Sequence, residues 1–179
     1  PLPPMAPPEI PRAQLQNIDN SSRFTIALNR ADFFVSSINA TLEPSDIESF
    51  YRDLQSFSEI LLSKIGISRL GLVGRMCKLS TDPASEISSS LLKYKSDELF
   101  EASIKFVERH VAERFTYNDS FQFDQGIKLD TQQKILLVTR DINTVPEIPL
   151  TVSLEIITCF CSLAKERLDK KYINKVMGA

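Results

Sequence analysis

Apolar residues recur at steps of three and four along one segment, as Ile47, Phe50, Tyr51, Leu54, Phe57, Leu61 and Ile65. That spacing lines one stripe of an α-helix. From Ile67 the rhythm drops to two, with Leu70, Leu72 and Met76 alternating against Arg69, Val73, Arg75 and Cys77, as in a strand. Pro44 and the Ser45…Glu48 spacing form a capping box at the helix start, where Asp46 and Glu48 also suit the positive end of the dipole. Lys64 and Gly66 mark its end. The pattern predicts a helix over about residues 45–65 and a strand over 67–79. Gly71 and Gly74 point to a bulge or a close backbone approach within that strand.

Phe24, Ile26 and Leu28 alternate with Thr25 and Ala27, and a second apolar run spans Phe33 to Ile38 beyond the turn residues Asn29 to Asp32. This reads as a β-hairpin, so the opening topology is β-β-α-β. Asp82-Pro83 caps a short helix with Ile87, Leu91 and Leu92 on its buried edge. Phe100, Ala102, Ile104 and Phe106 alternate as a half-buried strand, and Phe115, Tyr117, Phe121 and Phe123 continue that parity, as one strand or as two broken at Asn118-Asp119. Asp124-Gln125-Gly126 signals a turn, Lys134 to Ile142 a central strand ended by Pro146 and Pro149, and Val152 to Val176 a last helix. The expected fold is α+β, a mainly antiparallel sheet with two long helices, about 45–65 and 152–176, packed on one face.

Six prolines in the first eleven residues change the picture at the N-terminus. They favour an extended polyproline arm or linker over residues 1–22, ahead of a single α+β domain over 23–179. With 179 residues, 42% of them hydrophobic, the chain can build a substantial core without disulfides. Cys77, Cys159 and Cys161 do not make a disulfide framework, which favours a reducing, cytoplasmic setting. No apolar run is long enough for a bilayer span, and the N-terminus lacks signal-peptide sections. The opening Pro1 reads as a trimmed start or as a piece of a longer protein. A net charge of −2 gives no overall basic field for nucleic acid. The run Lys165, Arg167, Lys170, Lys171 and Lys175, interleaved with Glu166 and Asp169, reads as a solvated helix face.

Candidate chemistry is sparse. His110 is the only histidine, which excludes sites needing two, and no motif sets a nucleophile beside it. Cys159 and Cys161, two apart on a helix, lie about 200° apart around its axis and cannot share an ion. No metal site and no cofactor are expected. The five glycines form no phosphate-cradling loop. Arg75, Arg140 and Asp141 are the candidate binding residues, as charges beside apolar strand positions, and Asp141 is the most suggestive because it follows a strand expected to be buried, where a charge needs a partner.

Ile65-Gly66-Ile67, the strand Ser68 to Arg75 and the late Arg140-Asp141-Ile142-Asn143 before a C-terminal helix carry a resemblance. They resemble the second half of an uncharacterised, sporadically distributed bacterial protein family, whose middle strand reads like R-x-G-L-R-Y-x-N and whose late strand has an L-D-I-D-like run. Here Val73 and Gly74 stand in place of the Arg-Tyr portion. The resemblance implies a bacterial or phage-related α+β protein and carries over no catalytic residue.

Two functions follow as expectations. The first is a non-enzymatic protein-interaction or scaffold module, with a protein partner or self-association as a homodimer. The alternative is a small-molecule binding protein or enzyme whose pocket lies between sheet and helices and uses Arg75, Arg140 and Asp141. A truncated half of a larger defence or regulatory protein is a third possibility.

Overall fold

The computed structural model describes residues 7–19, 21–36, 42–96 and 98–168. The chain divides into two compact units, Pro1–Leu61 and Leu62–Ala179, each holding an antiparallel sheet.

The first unit pairs β1 (Ala13–Gln16), β2 (Ser22–Ile26) and β3 (Ala31–Val35) in sequence order. β2 and β3 form the expected hairpin, whereas β1 lies within the stretch expected to be an arm. The run expected to continue to Ile38 passes outside the described residues after Ser36, as do the first three prolines of the arm. Phe24 and Phe33 face each other across the hairpin and receive α1 (Pro44–Leu62). Phe57 stacks on Phe24 at 4.5 Å between centroids, and Phe50 on Phe33 at 5.4 Å.

The apolar stripe of α1 is thus matched by aromatic partners within its own unit. The start of α1 differs from expectation by two residues. Glu43 occupies the cap, Pro44 the first helical position, and the Asp46 carboxylate accepts from the Glu43 amide at 3.0 Å. Proline at Pro44 sets this frame, because its fixed φ and missing N–H suit the first helical position and leave Ser45 inside the helix.

The second unit orders its strands β4-β7-β6-β5, with β4 (Gly71–Leu79), β5 (Ile104–Val111), β6 (Thr116–Ile127) and β7 (Lys134–Thr144). β4 pairs with β7 without interruption, so Gly71 and Gly74 mark no bulge. At Gly74 the reason is a close approach: a Cβ there would stand 2.7 Å from Leu168 Cδ2. β6 runs straight through Asn118-Asp119 and also through Asp124-Gln125-Gly126. The turn falls at Lys128–Gln133 instead, closed by the Lys128 amide donating to the Gln133 carbonyl, with Gln132 at φ 55°. A Cβ at Gly126 would sit 3.2 Å from Ile135 Cγ1 on β7, a tight approach across the sheet. Crowding across a sheet and turn formation leave the same residue in the sequence.

Two helices cover one face of this sheet. α2 (Pro83–Ile87) is capped by Asp82, whose carboxylate accepts from the Ser85 amide at 3.1 Å. It continues into a wider π-helical turn over Ser88–Leu92. Ile87 packs against Phe121, Phe123, Leu136 and Val138 in a fully buried cluster. α3 (Leu154–Arg167) is capped by Ser153 and buries Ile157, Phe160 and Ala164, with Phe160 against Phe115. The expected continuation of this helix to residue 176 lies outside the described residues. The fold is α+β with antiparallel sheets, as expected, but one sheet under two long helices is corrected to two sheets. α1, at 19 residues, serves the first, and α2 and the 14-residue α3 serve the second.

Replacing Phe123 with Ala should lower the stability of the second unit by about 3–5 kcal/mol, because a fully buried ring is lost and a cavity is left. Denaturant unfolding followed by circular dichroism measures this change.

Candidate functional site

The two-residue period of the sheet decides where each candidate falls. On β7, Leu136, Val138, Arg140, Ile142 and Thr144 face the helices, so Asp141 points to the opposite face. Arg75 pairs with Thr139 in register and shares that opposite face with Asp141. The structure therefore brings Arg75 and Asp141 to one surface and sets Arg140 on the other side of the sheet. Consecutive residues of a strand cannot line one pocket, and this constraint was already present in the sequence.

Arg140 is fully buried and holds a partner that sequence reasoning missed. Its Nε donates to Asp119 Oδ1 at 2.8 Å and its Nη2 to Oδ2 at 2.5 Å, a two-pronged pair with both side chains 0% exposed. The Phe121 ring lies 4.3 Å below the guanidinium carbon, so the cation is also stacked. Arg167, at the end of α3, brings Nη1 to 3.6 Å from Asp119 Oδ2. The sequence places Arg167 on a solvated helix face, but only a quarter of its side chain is exposed. The signal for Asp119 was its parity: it falls at the core position between Tyr117 and Phe121, where a carboxylate needs a cation.

This arrangement holds charge in place. The Asp119 carboxylate is fully buried and engaged by two guanidinium groups. Nearby, His110 stacks on Tyr117 at 5.3 Å and sets Nε2 3.1 Å from Glu108 Oε2 on the edge strand β5. A cavity of about 40 Å³ lies by Arg114, Phe115, Thr144 and Pro149. A shallow groove of about 280 Å³ runs between Ser85, Glu86, Ser89, Tyr94 and Lys95. Neither takes in Arg75, Arg140 or Asp141. Among the described residues no group of three or more His, Cys, Asp or Glu could hold a metal ion, and no helix is long and apolar enough to cross a membrane.

The opposite face of the sheet carries Arg75 and Asp141 in adjacent rows. Asp141 accepts from Asn143 Nδ2 at 3.2 Å, and Asn143 in turn accepts from Arg69 Nη2 at 3.2 Å. Arg75 is exposed and makes no hydrogen bond or ion pair among the described residues. The central strands show polar side chains here, among them Gln122 and Thr139, and the edge strands mix exposed aliphatic side chains with Arg75, Lys105 and Arg109. Val73, Leu79, Val107 and Val111 are 55%, 61%, 54% and 83% exposed.

No family model matches the chain, and no curated protein or solved structure shows a significant similarity to it.

Two outcomes follow from this geometry. Asp119→Ala alone should cost about 3–5 kcal/mol by leaving the Arg140 cation buried without its partner, whereas Asp119→Leu with Arg140→Met should recover most of that loss in denaturant unfolding. Burial pushes the Cys161 thiol up to about 11, while Cys77 and Cys159 are exposed. Iodoacetamide near pH 8 should therefore alkylate Cys159 well before Cys161, as read by peptide mass spectrometry.

Proposed function

We propose that the chain is a non-enzymatic protein-interaction module acting through the open face of the second unit's sheet. The supporting observation is the composition of that face. An antiparallel sheet with one solvated side normally alternates cleanly, apolar inward and polar outward. Here the edge strands β4 and β5 break that rule, with four aliphatic side chains more than half exposed around a polar centre. Aliphatic groups flanking hydrogen-bonding and charged ones are what a protein surface can cover while satisfying the polar atoms between.

The small-molecule reading loses its geometric motive, because the sheet separates Arg140 from Arg75 and Asp141. The bacterial setting, the cytoplasmic location and the family resemblance belong to the same proposal.

A photo-crosslinking residue at Thr139 or Val107 should give covalent protein adducts in cells, and one at Ser89 on the helix side should not. Absence of adducts from both face positions overturns the reading.

A further inference from the structure

We infer that the partner for this face is a second copy of the chain, joined about a two-fold axis by reciprocal Arg75–Asp141 ion pairs; this rests on the interaction reading above. Arg75 and Asp141 are of opposite sign and sit on neighbouring strands, with Val73 opposite Asp141 and Arg75 one diagonal step away. They form no ion pair with each other. A two-fold rotation that brings two such faces together sets each arginine over the other copy's aspartate, so the patch is complementary to itself. Closed two-fold dimers need that property.

Dimensions agree. Packed sheets lie about 10 Å apart, a gap that an extended arginine and an aspartate can bridge together. Four strands spaced about 4.8 Å, each about eight residues long, give a footprint of roughly 500 Å². Two apposed faces then bury about 1,000 Å² or more, the size at which specific interfaces begin. The aliphatic side chains Val73 and Leu79 of β4, and Val107 of β5, lie around the charges and would shield them from water.

The test uses the full chain at micromolar concentration in sedimentation velocity. Wild type should sediment as a dimer that weakens as salt rises. Arg75→Glu and Asp141→Arg should each raise the dimer dissociation constant about tenfold or more, because each sets like charges face to face twice over. An equimolar mixture of the two variants should dimerise again, since each acidic substitution then meets a basic one. Circular dichroism confirms that each variant is folded; should either fail, Arg75→Gln and Asp141→Asn replace them, each expected to weaken the dimer.

A monomeric wild type overturns the inference, as does a dimer that both single variants leave unchanged, or a mixture that does not associate. Crosslinks from Thr139 to a different protein, with a monomeric wild type, would sink self-association while leaving the interaction module standing. Absence of any adduct removes both.

Discussion

The second unit is organised around a charge pair that water never reaches. Burying a carboxylate and a guanidinium costs several kcal/mol each, and only a close two-pronged geometry with further support offsets it. Asp119 and Arg140 have that geometry, with Phe121 beneath the cation and Arg167 beside the anion. The pair sits diagonally across β6 and β7, the two central strands. Sliding either strand by one residue would turn one charge to the open face and leave the other buried alone. Only one register satisfies both charges, and the rest of the sheet inherits it.

The same pair ties the helix layer to the sheet. Arg167 closes α3, and the next residue, Leu168, fills the space that Gly74 leaves on β4. Phe160 holds the middle of α3 against Phe115, where the strand β6 is about to begin. On the other side of the core, Ile87 caps the Phe121–Phe123 cluster. Helix packing and ion pairing therefore share one face of the sheet, the face that carries the buried core.

Much of this was legible along the chain, and the failures share a physical origin. The α1 stripe as far as Leu61, the Asp82 cap and the parity of Phe115, Tyr117, Phe121 and Phe123 read correctly because each is a local pattern, whereas α1 ends at Leu62, ahead of the expected Ile65 and Gly66. Gly126 misled because a glycine set close against Ile135, nine residues away through a turn, looks like a turn residue in sequence. Ser45 misled because Pro44 set the helix frame two residues earlier than the capping motif suggests. Asp119 escaped because its partner is 21 residues on, and nothing local distinguishes a paired core carboxylate from a strand break. For the candidate site, the charge expected to need a buried partner was Asp141, whereas its neighbour Arg140 is the buried one, because the alternation of the strand turns the two to opposite faces.

The two edges of the four-stranded sheet are unlike in one further respect. β5 carries Lys105, Glu108, Arg109 and His110, so charge points from both of its faces along the unpaired edge. An incoming strand there would have to desolvate several ionic groups at once. β4 has two glycines and only Arg75 and Lys78. Growth of the sheet into a continuous ribbon needs both edges to accept a neighbour, and β5 resists. Among the described residues β4 is unpaired on its outer edge, and the charged edge of β5 opposes the growth of such sheets into a fibre.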